Sequence, residues 1–165
     1  MDTENLLNKL KIPFRRVDHQ AVFTVEESNL YLTDNHPIKN LLLQDKSGQF
    51  ILVIMSGLKR LDLKELTNKI GSKKLQFAKP EDMKNLLGVT PGSVSLFGII
   101  NDKNNQVKIV IENDVTKLKE VSFHPNDNTA TVFFDPIYLN LIAQELKHEI
   151  VLVKLWRLIS LQQIN

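Results

Sequence analysis

Apolar positions along the chain follow two rhythms, one helical and one alternating. Leu6, Leu7 and Leu10 recur at helical spacing and predict a short helix over residues 3–10. Residues 14–19, after Pro13, read as a strand. Thr24-Val25-Glu26-Glu27 is a capping box, with Thr24 as N-cap, so a helix is expected to about Leu30. Residues 39–44 and 49–55 are β-rich runs separated by the turn cluster Asp45-Lys46-Ser47-Gly48, a hairpin signal. Asp62-Leu63-Lys64-Glu65 opens another helix, closed by Gly71. Residues 74–78 form a short strand candidate, and Pro80 suits the first position of a helix ending at Leu87 before Gly88. Residues 107–111 and 129–134 read as strands, the first preceded by a polar hairpin loop, Asn101-Asp102-Lys103-Asn104-Asn105. Pro136 starts a helix to about Lys147, and residues 149–153 return as a final strand.

Strands and helices are interspersed while many neighbours are hairpin-linked, which predicts a mixed α/β fold whose sheet is not purely parallel. There is no internal repeat, low-complexity segment or long linker. The expectation is one domain over residues 1–153, with a tail over 154–165, containing Trp156, whose role the sequence does not reveal.

Composition sharpens this by exclusion. With 165 residues and 42% apolar content the chain fits one domain with a real core, and neither a multidomain enzyme nor a disordered chain. It has no cysteine, which excludes disulfides, thiolate zinc sites, iron–sulfur clusters and a cysteine nucleophile. The longest wholly apolar run, Phe50-Ile51-Leu52-Val53-Ile54-Met55, is far short of a membrane span, and Met1-Asp2-Thr3-Glu4 does not open a signal peptide. A soluble intracellular domain is the expectation.

The net charge is +2, unevenly spread. Residues 57–84 hold eight basic groups (Lys59, Arg60, Lys64, Lys69, Lys73, Lys74, Lys79, Lys84) against four acidic ones, net +4, and the remainder is −2. Such a segment is either two lysine-rich solvated helix faces or a surface that meets phosphates.

No Gly-x-Ser-x-Gly elbow, phosphate-binding Gly-x-x-x-x-Gly-Lys or Gly-x-Gly-x-x-Gly occurs. His19, His36, His124 and His148 never pair at metal-ligand spacing, so no metal site is expected. Three polar, punctuated segments stand between apolar runs. His36-Pro37-Ile38-Lys39-Asn40 puts Lys39 at the mouth of a strand, where it either snorkels outward or faces a pocket as a positioned cation. Gly88-Val89-Thr90-Pro91-Gly92-Ser93-Val94 fits a type II turn needing φ > 0 at Gly92, either an ordinary turn or a loop whose N–H groups form an oxyanion hole. Phe123-His124-Pro125-Asn126-Asp127-Asn128-Thr129 is either a plain loop or the lining of a polar pocket.

Taken together, these segments resemble one family. His19-Gln20-Ala21-Val22-Phe23-Thr24-Val25-Glu26-Glu27, Lys39-Asn40-Leu41-Leu42-Leu43-Gln44-Asp45, the Gly-Val-Thr-Pro-Gly-Ser block at 88–93, Phe97-Gly98-Ile99-Ile100-Asn101-Asp102 and the His-Pro-Asn-Asp-Asn block at 124–128 are similar to the YbaK/ProX superfamily of prolyl-tRNA editing proteins, in its free-standing PrdX-like branch. The likeness covers about residues 3–153 and implies a mixed, barrel-like sheet flanked by helices. The activity it implies is hydrolysis of alanine mischarged onto proline tRNA, in trans, in the cytoplasm. Gln20 stands where members often have Pro, and Lys79 where a Ser or Thr cap is commoner.

The resemblance implies Lys39, Gly92 and His124 as catalytic positions, and Thr24, Asn40, Ser93, Val94, Asn126 and Asn128 as substrate-binding ones. No cofactor is implied. The implied partner is aminoacylated proline tRNA, with a prolyl-tRNA synthetase as a further one, and neither membrane nor metal. From the basic segment, Lys73 and Lys74 are candidate tRNA contacts. An aminoacyl ester is already activated, so positioning, backbone donors around Gly92 and Ser93, and the ribose 2′-hydroxyl would suffice without a strong nucleophile. In this reading Lys39 holds the terminal phosphate or ester carbonyl. His124 shapes the pocket or holds the substrate amino group in preference to acting as general base. Two alternatives stand beside it: a non-catalytic aminoacyl- or tRNA-binding module associated with a synthetase, and a deacylase for another small amino acid.

Overall fold

The computed structural model describes residues 1–21 and 36–155; the helix expected at 24–30, with Thr24, and the tail from Trp156 lie outside the described residues. The apolar run Phe50–Met55 supplies both parities of a strand, which suits a strand covered on both faces. It becomes β3 (Phe50–Ser56), at the centre of a five-stranded sheet ordered β4 (Leu75–Phe77), β2 (Ile38–Asp45), β3, β5 (Val107–Glu112) and β8 (Ile150–Val153). The expected hairpin is present: β2 (Ile38–Asp45) runs antiparallel to β3, with Lys39 opposite Met55. β4 (Leu75–Phe77) is antiparallel to β2, while β5 (Val107–Glu112) and β8 (Ile150–Val153) continue the sheet parallel to β3. A second, three-stranded antiparallel sheet has the order β1 (Arg15–Asp18), β7 (Ala130–Phe134), β6 (Val121–Phe123). The fold is mixed α/β as expected, and among the described residues the barrel-like sheet takes the form of two separate sheets.

Alternation on the five-stranded sheet sends successive side chains into two cores. Leu42, Leu52, Ile54, Ile109 and Ile111 pack towards the three-stranded sheet, against Val121, Phe123, Val132 and Phe134. This core also takes Leu6 and Leu7 of α1 (Thr3–Lys9), Leu86 and Leu87 of α3 (Pro80–Leu87), and Ile142 of α4 (Leu139–Glu145). Leu43, Ile51, Val53, Met55 and Val110 face the other way, towards Leu66 of α2 (Leu63–Ile70).

Helix boundaries follow local chemistry. The Asp62 carboxylate accepts from the Glu65 backbone N–H at 3.0 Å, and Gly71 ends α2 in the left-handed region, φ +65°. Lys79 makes no side-chain cap for α3; the Asp82 carboxylate instead accepts from the Lys79 backbone N–H at 3.1 Å. The expected helix from Pro136 is a 3-10 turn, Pro136–Tyr138, continuing as α4.

Two expectations are corrected. The loop at 101–105 is not a hairpin, because it leads from a 3-10 helix, Leu96–Asn101, into a strand whose sheet neighbours are both parallel. Its Asp102 is buried and accepts from the backbone N–H groups of Gln106 and Val107, pinning the entry to β5. Lys59 is not part of a basic surface. It is 7% exposed and ion-paired with Glu112 and Asp114. Among the described residues no helix is long and apolar enough to cross a membrane.

Candidate active site

The Thr90-Pro91-Gly92-Ser93 turn forms as its sequence dictates. Pro91 presets one central position and Gly92 takes φ +89°, while the Ser93 N–H donates to the Thr90 carbonyl at 3.0 Å. The Ser93 N–H is therefore committed to closing the turn. Among the described residues the Gly92 and Val94 N–H groups make no backbone hydrogen bond, so these two remain as donors to an anion. Gly92 is exposed, Val94 half-buried and Ser93 buried.

Two hydrogen bonds lash this segment to the His124 loop. The Ser95 hydroxyl donates to the His124 carbonyl at 2.6 Å and accepts from the Phe97 N–H at 3.3 Å. The Asn126 amide donates to the Phe97 carbonyl at 3.0 Å, from a backbone at φ +63°. Ser95 is fully buried. Below the lashing, Phe97, Phe123 and Phe134 form a ring cluster with centroids 5.7 to 6.0 Å apart, which gives both loops a rigid floor.

His124 Nδ1 lies 2.9 Å from the Ala130 carbonyl, so that nitrogen carries the proton and Nε2 keeps its lone pair. Burial lowers the His124 pKa, and nearby His19 adds to this against the opposing Ala130 carbonyl and Asp127. The ring is therefore neutral at pH 7. The His19 ring stands 6.1 Å from it, held by the Gln20 carbonyl at Nδ1 and by the Thr131 hydroxyl at Nε2, 2.7 and 2.8 Å away. Asp127 organises the loop beyond, accepting from both the N–H and the hydroxyl of Thr129, and half-buried Asn128 lies between them.

Lys39 and Asn40 enter from the start of β2. Alternation places Asn40 with Ile38 and Leu42, on the face towards the three-stranded sheet, and Lys39 with Leu41 and Leu43 on the other. The Lys39 ammonium donates to the Lys59 carbonyl at 2.8 Å. This is the end of the sheet where parallel β3, β5 and β8 finish, a common place for ligands in open α/β sheets. The amide oxygens of Asn40 and Asn126 are shut away from solvent with no donor among the described residues. An orphaned buried acceptor costs about 1–3 kcal/mol, so each of these oxygens has acceptor capacity open to a further donor. Lys73 and Lys74 are exposed beyond the opposite end of β2, about 20 Å along the strand from Lys39.

The aminoacyl-tRNA editing domain family matches residues 19–140, which takes in all of these segments. The chain belongs to that family. It is 40% identical over 129 residues to the Prolyl-tRNA editing protein ProX of Acetoanaerobium sticklandii, covering 76% of this chain and 79% of that protein. It is 28% identical over 156 residues to the Prolyl-tRNA synthetase associated domain-containing protein 1 of Danio rerio, covering 92% and 85% respectively. A solved structure described as a candidate trans-editing enzyme for prolyl tRNA synthetase shares the fold at a TM-score of 0.68 and 22% identity, covering 87% of each chain.

Within this editing domain the structure gathers Gly92, Ser93, Val94, His124 and Asn126 through the Ser95 and Asn126 lashings. Lys39 and Asn40 sit at one end of β2, and Lys73 and Lys74 beyond the other. Sequence reasoning missed Ser95 and His19 as site residues. Ser95 carried a readable signal, since a serine two residues before Phe97 can cap a helical turn. The His19–His124 approach depends on β1 pairing with β7, which no local pattern announces.

Proposed function

We propose that this editing domain hydrolyses the ester of alanine mischarged onto proline tRNA, acting in trans in the cytoplasm. The observation that supports the reading is the lashed pair of loops, which carry two backbone N–H groups without a backbone partner, a neutral histidine and the orphaned Asn126 amide oxygen. The 40% identity to a prolyl-tRNA editing protein supports the substrate class.

In this mechanism the N–H groups of Gly92 and Val94 receive the developing oxyanion. One such donor is worth on the order of 3 kcal/mol, roughly a hundredfold in rate. Asn40 and Asn126 accept N–H groups from the alanyl ammonium, and the His124 Nε2 lone pair accepts a third. The lowered His124 pKa makes it a poor proton acceptor from water, which favours this holding role over general base. Lys39 sets a positive charge at the terminal phosphate or ester carbonyl, and the ribose 2′-hydroxyl orients the attacking water. The resemblance adds Ser93, Asn128 and Thr24 to the substrate-binding positions. A synthetase pocket built for proline cannot reject smaller alanine sterically, because a missing methylene is worth only about 1–3 kcal/mol. A second, smaller pocket that excludes proline supplies the discrimination. Lys73 and Lys74 meet the tRNA backbone away from its charged end.

The test is release of alanine and proline from separately charged proline tRNA. Wild type releases alanine much faster than proline, and Lys39→Ala loses at least a hundredfold in kcat. Glu at both Lys73 and Lys74 raises KM and leaves kcat unchanged. Alanine release at the buffer rate, with tRNA binding intact, would make the chain a binding module. Faster release of glycine or serine would reassign the amino acid.

A further inference from the structure

At the end of the sheet where β2 begins, close to Lys39, the structure buries an ion pair. Lys59 is 7% exposed and Glu112 is fully buried. The Lys59 ammonium is ion-paired with Glu112, donates to Asp114 at 2.6 Å and reaches the Leu155 carbonyl at 3.0 Å. The other Glu112 oxygen accepts from the Ser56 backbone N–H at 2.8 Å, so this carboxylate fixes both ends of the 56–59 turn. Replacing a buried ion pair by well-packed apolar groups is often neutral or stabilising, so stability alone does not account for the pair, and what it orients becomes the question. What it orients is the Lys59 carbonyl, the group that accepts from the Lys39 ammonium at 2.8 Å. Gly57 completes the turn: its N–H donates to the Pro37 carbonyl, and a Cβ there would stand 2.9 Å from the Pro37 ring, two residues before Lys39.

We infer that Glu112 and Lys59 are positioning residues for Lys39: their buried pair locks the 56–59 turn, whose Lys59 carbonyl holds the Lys39 ammonium where the editing reaction needs its charge. The inference rests on the proposed role of Lys39. Both residues are buried, whereas sequence pattern alone places Lys59 among the basic groups of residues 57–84.

The test uses the full chain and two variants. Glu112→Gln keeps an acceptor for the Ser56 N–H and removes the charge; Lys59→Met with Glu112→Gln removes the pair without leaving a buried lysine unpaired. Both keep the Lys59 carbonyl, so any effect on Lys39 travels through the turn. The expected result for both is a fall in kcat of at least tenfold with KM for alanyl-tRNA within twofold. The double variant is expected to melt no lower than Glu112→Gln, because it leaves no buried ammonium short of its partner. Independently, the Lys39 ammonium gives a 1H–15N signal, assigned with Lys39→Arg, that is sharp in wild type and broadened or shifted in both variants. An unchanged Lys39 signal with unchanged kcat in the folded double variant overturns the inference. So does a loss of kcat that only tracks the loss of folded protein. Should wild type show no deacylation at all, the reading of the function fails, while the ammonium signal still decides whether the buried pair positions Lys39.

Discussion

Replacing Ser95 by alanine should separate the lashing of the two loops from general stability. The hydroxyl is fully buried and serves two backbone groups, donating to the His124 carbonyl at 2.6 Å and accepting from the Phe97 N–H. Alanine fits the same space and leaves both groups without that partner. The orphaned carbonyl costs about 1–3 kcal/mol and the lost cap about 1 kcal/mol, together about 2–4 kcal/mol. In a domain of this length about 3 kcal/mol lowers Tm by roughly 6–12 °C. The effect on rate should be larger than that loss implies, because the bond joins the Gly92 donors to the His124 loop, and a misplacement of about 1 Å can cost a hundredfold. The comparison is Leu66→Ala, in the second core on the far side of the five-stranded sheet, which costs about 2–5 kcal/mol without touching either loop. Deacylation rates are measured well below both melting points. Ser95→Ala should lose ten- to a hundredfold in kcat and Leu66→Ala less than twofold. Equal losses in the two variants, or a Ser95→Ala enzyme of wild-type rate, would refute the reasoning.

Gly92→Ala puts a Cβ on a residue at φ +89°, so the turn must distort to hold it. Alanine release should drop by about a hundredfold, the worth of one oxyanion donor, with tRNA affinity measured by filter binding unchanged. For pH, the folded-state His124 pKa lies below its ordinary value of 6.5. The unfolded chain therefore takes up its proton first as pH falls, so the His124 contribution to stability is flat above about pH 7. It declines below 6.5 and levels off beneath the folded pKa. The rate should hold its plateau down past 6.5 and be lost only below it; an acid limb centred above 6.5, and absent in His124→Asn, would contradict the neutral ring.

Elements with a local cause were legible. The helices opening at Asp62 and Pro80, the 45–48 hairpin and the Gly92 turn each follow from a few neighbouring residues, and each is present. What escaped is non-local. β6 spans three residues, too few for alternation to register, and exists because Val121–Phe123 pairs with β7. The parallel entry to β5 depends on what lies beside it, and so the polar 101–105 loop resembled a hairpin. Lys59 carries the composition of a surface lysine, and only the approach of Glu112 from another strand makes it a buried ion. At the site, the lining residues were readable as motif blocks, whereas Ser95 and His19 act through pairings across more than a hundred residues or between loops.

The geometry of β2 constrains where the chemistry can lie. Lys39 and Asn40 are consecutive on a strand, so their side chains leave opposite faces of the sheet. A substrate lying flat on either face would meet one and miss the other. Both can serve one ester only if it sits over the end of the sheet, where β2 begins and the parallel strands β3, β5 and β8 finish. That end carries the Lys59 carbonyl on one side and faces the layer of the lashed loops on the other. Under the proposed function the terminal ribose of the tRNA then lies over the strand ends. Exposed Lys73 and Lys74, some 20 Å away along β2 beyond its opposite end, lie out of reach of the ester and meet only a more distant part of the tRNA under the proposed function. Charge reversal there should therefore change affinity and its salt dependence without changing the chemical step, whereas a change at Lys39 should do the opposite.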